Sequence, residues 1–236
     1  MGKVALVTGG NSGIGFEVVR ALALRGMTVW LGSRDRGKGE AAVADLADTG
    51  DVHLAVLDTV LPEGFQSVLD AIESKHGKLD VLVNNAGVSL HGNVLEVDPE
   101  TVRQSFETNL HGPMRLTQLA VPLLRKSTDA RIVNVSTHAA QFGFLANPPG
   151  SIPSGSLPYA YCVSKAALNA ATVMFAEALL GDNIKVNACS PGLVKTQVSR
   201  FSGTRTPAQG AAIIIRLATE GEETGQFFDE NCKMDW

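Results

Sequence analysis

A four-residue apolar run, Val4–Val7, leads straight into T-G-G-N-S-G-I-G, and a helical pattern takes over from about Gly13 to Leu24. No other stretch restricts the possible folds so tightly. A short unbroken apolar run marks a strand buried on both faces, and such strands belong to parallel sheets covered on each side. Gly9, Gly13 and Gly15 let the backbone pass close to a pyrophosphate. The helix that follows offers free N–H groups and the positive end of its dipole. The spacing, G-x-x-x-G-x-G, is one residue looser than the dinucleotide fingerprint G-x-G-x-x-G. The alternative is an ordinary glycine-rich turn. The setting, directly after a strand and before a helix, favours the phosphate cradle.

Strand and helix patterns alternate along the whole chain. Strands are expected near Val4–Thr8, Thr28–Gly32, His53–Leu57, Val81–Asn84, Arg131–Val135, Lys185–Cys189 and Gly225–Phe228. Helices are expected at about Gly13–Arg25, Gly37–Ala47, Pro62–His76, Pro99–Lys126, Pro158–Leu180 and Pro207–Ala218, with Pro99, Pro158 and Pro207 suited to first helical turns. This predicts an α/β chain: one Rossmann-type, doubly wound parallel sheet of about seven strands, helices on both faces, and a single domain over 1–236. One segment breaks the rhythm. Gln141–Ser156 ends in N-P-P-G-S-I-P-S-G-S and falls at the carboxyl end of the sheet, where ligands bind and long loops tend to be functional.

Tyr161 and Lys165, in Y-C-V-S-K, stand four apart in a predicted helix and therefore share a face. A tyrosine with a pKa near ~10 is a poor acid or base at neutral pH, and a neighbouring ammonium lowers that value. The pair is thus an acid/base device for a carbonyl or an alcohol. The rest of the composition mainly excludes. With 236 residues and 44% hydrophobic content, one sizeable core can form; a net charge of −4 without a basic block argues against nucleic acid. No apolar run spans a membrane, and Met1 stands two residues from the first strand, so neither a signal peptide nor a membrane partner is expected. Cys162, Cys189 and Cys232 lack C-x-x-C spacing and the histidines lack metal-ligand spacing, which predicts reduced cysteines, a cytoplasmic setting and no metal.

With these pieces in place the sequence resembles the short-chain dehydrogenase/reductase family, and most of all its carbonyl reductase branch. The resemblance runs through T-G-G-N-S-G-I-G (Thr8–Gly15), N-N-A-G (Asn84–Gly87), T-N-L-H-G (Thr108–Gly112), V-N-V-S-T (Val133–Thr137), Y-C-V-S-K and N-A-C-S-P-G-L-V-K-T (Asn187–Thr196), in the family's order. It implies that Tyr161 gives a proton to the substrate oxygen. Lys165 lowers the Tyr161 pKa and holds the nicotinamide ribose. A hydroxyl at the fifth strand's end bonds the substrate oxygen, and Asn109 supports a water-linked proton path to Lys165, kinks its helix, or does both. The cofactor contacts it implies are Gly9, Asn11, Ser12, Gly13, Ile14 and Gly15 in the glycine turn; Asn85, Ala86 and Gly87 after the fourth strand; Tyr161 and Lys165; and Pro191, Gly192, Val194 and Thr196 in the nicotinamide loop.

The chain departs from the family where relatives read N-x-S-S. Here the second hydroxyl is Thr137, preceded by Ser136. Successive strand residues face opposite ways, so only one of them meets the substrate; Thr137 is favoured. At the second strand's end Ser33 stands where relatives that prefer NAD carry Asp, and Arg34 follows. Arg34 is either a bidentate partner for a 2′-phosphate or a solvated loop charge. The first reading makes NADPH/NADP the expected cofactor over NADH, with Asp35 as the counterargument. Asp58 resembles the family's adenine contact; a turn-capping role is its alternative. The expected activity is NADPH-dependent reduction of a ketone or aldehyde. Alcohol oxidation and a non-catalytic dinucleotide sensor are the rivals. The substrate pocket is expected between 141–156 and 198–206, partly apolar through Phe142, Phe144, Leu145 and Phe201. Monomer and homo-oligomer both stay open.

Overall fold

The computed structural model describes residues 2–150, 152 and 155–236, so positions 151, 153 and 154 of the expected substrate loop lie outside the described residues. The parallel strands are β1 (Val4–Val7), β2 (Thr28–Ser33), β3 (Val52–Val56), β4 (Val81–Asn84), β5 (Ala130–Val135), β6 (Ile184–Cys189) and β7 (Phe227–Phe228). They line up in the order β3-β2-β1-β4-β5-β6-β7. An eighth strand, β8 (Lys233–Met234), adds antiparallel to β7, with Phe227 opposite Met234. The sheet is the doubly wound Rossmann arrangement expected, with one strand more. Two residues give no periodicity to read, so β8 left no trace in the sequence pattern.

Helices cover both faces. Alternate residues of one strand serve different cores. Val4 and Leu6 pack with α3 (Glu63–His76) and α5 (Gly112–Leu124), while Ala5 and Val7 pack with α1 (Gly13–Ala23) and α8 (Pro207–Thr219). Strands buried on both faces read as continuous apolar runs for that reason. α2 (Arg36–Asp45) completes the first face; α4 (Pro99–Phe106) and α7 (Tyr159–Ala178) lie on the second side. Strand order reverses between β1 and β4. The loops leaving those two strands therefore flank the crevice where such sheets bind ligands.

Some boundaries differ from expectation. The long helix predicted over Pro99–Lys126 is interrupted by a π turn, Glu107–His111, closed by an N–H bond from Gly112 to the Glu107 carbonyl. Gly112 occupies the exit because a Cβ there would overlap the Thr59 carbonyl. Pro99 and Pro207 open α4 and α8, and Pro158 stands at the cap position just ahead of α7. The start of the predicted loop folds into α6 (Phe142–Ala146). Among the described residues no helix is long and apolar enough to cross a membrane.

Candidate active site

The glycine turn leaves β1 with Gly9 at φ +64° and Gly13 at φ +56°, both left-handed. A Cβ on Gly15 would overlap the Gly9 carbonyl oxygen, so the turn can close this tightly only with glycine there. Ser12 is the N-cap of α1 but makes no side-chain cap bond, and the first turn of the helix carries no acidic residue. The N-terminal N–H groups of α1 are therefore left for an anion. Asn11 and Ile14 flank this opening, Ile14 packing against the core and Thr196 standing over Gly13. The donor set and the bare backbone fit a dinucleotide pyrophosphate.

The loop after β4 is stitched to this turn. Thr8 Oγ1 accepts from the N–H groups of Asn85 and Ala86, each at 3.0 Å, and donates to the Val83 carbonyl at 3.3 Å. Asn85 Nδ2 donates back to the Thr8 and Gly9 carbonyls at 2.9 and 3.3 Å. Gly87 then passes over Asn109 and Lys165: a Cβ there would stand 3.2 Å from Asn109 Oδ1 and 3.4 Å from Lys165 Nζ. Behind this loop a buried row of polar side chains joins the sheet to the helices. Asn84 Nδ2 donates to Thr117 Oγ1 (3.1 Å) and Asn134 Oδ1 (2.8 Å), and Asn134 Nδ2 donates to Thr172 Oγ1 (2.9 Å).

Asn109 sits in the π turn and is fully buried. Its amide exchanges two 2.9 Å bonds with the Val88 backbone, and Nδ2 also donates to Ser164 Oγ at 3.0 Å. Ser164 Oγ in turn donates to the Tyr161 carbonyl at 2.8 Å. The side chain thus ties the β4 loop to the first turns of α7. Thr8 and Ser164 were not singled out in the sequence. Ser164 had a usable signal, three residues after Tyr161 and so on its face; nothing in the pattern of Thr8 announces a hub.

The structure brings Tyr161 and Thr137 side chains into hydrogen-bond contact. Thr137 is extended (φ −156°, ψ 151°), and its Oγ1 also accepts from Ala139 N–H at 3.3 Å. Ser136 faces elsewhere; its N–H bonds the Cys189 carbonyl at 2.7 Å, and its hydroxyl is buried without a protein partner among the described residues. Burial pushes the Tyr161 phenol up to about 12, against the pull of the Thr137 hydroxyl, with the Cys162 thiol adding to the rise. That is opposite to the lowering expected from Lys165. The ammonium is turned to the Val135 carbonyl, 2.7 Å away, and burial drives its own pKa down to about 8. Desolvation outweighs the Thr137 hydrogen bond at Tyr161 and the pull of the Cys189 thiol at Lys165.

At the end of β2, Ser33 is buried and donates to the Asp35 carbonyl at 2.8 Å. The Asp35 carboxylate caps α2, accepting from Lys38 N–H at 3.0 Å. Arg34 is exposed and has no hydrogen-bond or ion-pair partner among the described residues. Asp58 Oδ1 accepts from Val60 N–H at 3.0 Å, so the turn-capping role is present. The nicotinamide-loop candidates Pro191, Gly192, Val194 and Thr196 follow β6. Gly192 is left-handed (φ +77°), Val194 bridges Arg205, and Lys195 N–H bonds the Arg205 carbonyl at 2.8 Å. Phe142 and Phe201 are exposed at the mouth, and Phe144 and Leu145 are half-buried.

Known proteins share this organisation. A family model described as short chain dehydrogenase matches residues 3–206. Short-chain dehydrogenase anuI of Penicillium roqueforti (strain FM164) is 34% identical over 244 residues, covering 99% of this chain and 96% of that protein. The structure of salutaridine reductase from Papaver somniferum aligns with a TM-score of 0.81 at 28% identity, covering 98% of this chain and 100% of that one. The Pseudomonas aeruginosa RhlG/NADP active-site complex aligns at 0.84 and 28% identity, covering 97% and 94%.

Proposed function

The chain belongs to the short-chain dehydrogenase/reductase family and is one of its oxidoreductases, and from that premise we propose that it reduces a ketone or aldehyde with NADPH, Tyr161 acting as general acid. The observation that carries this reading is the Tyr161–Thr137 contact beside buried Lys165. The cofactor supplies the hydride, and the chain binds, orients and moves the proton. With its pKa near 12, the phenol is protonated at neutral pH and ready to donate. Thr137 Oγ1 and the phenol together hold the carbonyl oxygen where negative charge develops. Lys165 carries the ribose hydroxyls and a proton route. The Asn109 side chain is taken up by Val88 and Ser164, which leaves the backbone of the π turn to support that route.

Arg34, unpaired and exposed, meets the 2′-phosphate; Asp35 does not compete, because capping α2 holds it. The glycine turn with Asn11, Ser12 and Ile14 takes the pyrophosphate. Asn85, Ala86 and Gly87 line the crevice, and 191–196 covers the nicotinamide. Asp58 reaches the adenine with the carboxylate oxygen that the turn leaves over. The chain acts as one domain, with substrate held between 141–156 and 198–206. A protonated phenol also favours reduction over alcohol oxidation, since a base must first lose its proton. The test is NADPH consumption against a panel of ketones and aldehydes, run with wild type and Tyr161→Phe. Failure to reduce any carbonyl, or full activity in the variant, overturns the reading.

A further inference from the structure

His138 follows Thr137 directly, and its ring lies between the loop after β6 and the C-terminal turn. Ser190, buried at the head of that loop, accepts at Oγ from His138 N–H (3.1 Å) and from Gly192 N–H (3.4 Å). A serine oxygen has two acceptor positions and one proton. Both acceptor positions are filled, so the hydroxyl proton goes outward, to His138 Nδ1 at 2.7 Å. Nδ1 is then an acceptor, and the ring proton resides on Nε2, facing Asp229 Oδ2 at 3.4 Å. The Asp229 carboxylate also accepts at Oδ1 from the N–H groups of Asn231 and Cys232, both at 2.8 Å. We propose that His138 is a positioning residue: its neutral imidazole fastens the Ser190–Gly192 turn to the strand end that presents Thr137, and protonation of the ring releases that turn.

The release follows from counting. A proton on Nδ1 puts a third donor on Ser190 Oγ and leaves the serine proton without its acceptor, so a backbone N–H must give way. Protonation thus exchanges loop order for an ion pair between the ring and Asp229, whose Oδ2 lies 3.4 Å from Nε2. The other titratable groups on the packed elements are Tyr159, Tyr161, Cys162, Lys165 and Glu177 of α7, Cys189 at the end of β6, Lys195 in the loop after it, the Arg205–Glu230 ion pair, and Cys232, Lys233 and Asp235 of the C-terminal turn; α6 carries none. Imidazole is the side chain whose charge ordinarily changes between about pH 5 and 8. The inference rests on the reading of 191–196 as the cofactor loop, but its first test needs no cofactor.

That test is hydrogen–deuterium exchange of the 190–196 amides in the free protein at pH 8 and pH 5.5, corrected for intrinsic rates. It compares wild type with His138→Asn, whose amide oxygen can accept from Ser190 without titrating, and with His138→Ala. Wild type should lose protection at pH 5.5 by ~5-fold or more. His138→Asn should keep it at both pH values, and His138→Ala should lack it already at pH 8. A fluorescence titration should show the NADPH Kd following the same order. Wild-type protection independent of pH, or full protection in His138→Ala at pH 8, overturns the proposal. Exchange as expected with no NADPH binding would instead leave His138 in place and sink the cofactor reading.

Discussion

Replacing Lys165 with methionine should stabilise the free protein at neutral pH while destroying its activity. Lys165 is 3% exposed, and burial lowers its pKa from 10.5 to about 8. A drop of that size corresponds to on the order of 3 kcal/mol against the charged form, at ~1.4 kcal/mol per pK unit. The sign follows from linkage. The folded-state value is the lower one, so the stability tied to this group is fully present only above the ordinary lysine value and is lost as pH falls through about 8. Methionine carries no charge to desolvate. It also leaves the Val135 carbonyl without its 2.7 Å partner, which offsets ~1–2 kcal/mol of the gain. The variant should therefore exceed wild type by ~1–2 kcal/mol at pH 7, or roughly 2–8 °C in Tm for a chain of this size. The difference should fall as the ammonium discharges and reverse by pH 10, where under ~1 kcal/mol of penalty remains against the ~1–2 kcal/mol lost with the bond. The raised thiols of Cys162 and Cys189 act with the opposite sign above pH 9; Cys162 cancels in the difference, whereas Cys189, which the Lys165 charge lowers, rises further in the variant, so the size of the difference is read below pH 9. Urea denaturation of both proteins from pH 7 to pH 10 measures it. A wild type more stable than the variant at pH 7, or a gap that does not change with pH, refutes the argument that burial and not pairing governs this ammonium.

Thr137→Ala should lower kcat by ~10²-fold or more, the scale of a lost oxyanion donor, with Thr137→Ser restoring most of it. Ser136→Ala should leave kcat within a few-fold and raise stability slightly, because it removes a buried hydroxyl with no protein partner; the reverse ranking of the two alanine variants would falsify the assignment. Tyr161→Phe should abolish turnover yet keep the NADPH Kd within a few-fold, as read by fluorescence titration. Wild type should prefer NADPH over NADH by at least ~10-fold in kcat/KM, since a charge-assisted contact is worth ~1.5–3 kcal/mol. Arg34→Ala should erase that preference and Ser33→Asp should invert it; equal values for both cofactors in wild type would show that the β2 end does not read the 2′ position.

What was legible in the sequence was whatever repeats or has a fixed spacing. The apolar run of β1 pointed to a parallel sheet because both its faces are buried, and the alternation of strand and helix patterns carried that reading along the chain. The spacing of Tyr161 and Lys165 fixed a shared helix face because α7 runs unbroken through both. Interruptions were not legible. The π turn at Glu107–His111 adds one residue to a helix whose composition stays helical throughout, and only the Thr59 carbonyl pressing on Gly112 explains it. Contacts between distant loops were equally hidden. Asp229, just after β7, meets His138, just after β5, and no local pattern joins positions so far apart in the chain.

The least legible quantity was protonation. Spacing alone suggested that an ammonium one helical turn away would pull the tyrosine down. The fold instead buries Lys165 and half-buries Tyr161, and desolvation raises the phenol's pKa and lowers the ammonium's. Lys165 then takes the nearest backbone carbonyl, and Tyr161 takes the nearest hydroxyl. A protonated phenol held by Thr137 and a readily discharged lysine beside it form a pair suited to giving a proton rather than taking one. How much water that helix face excludes sets the protonation of the pair, and with it the pH range over which the phenol can give a proton.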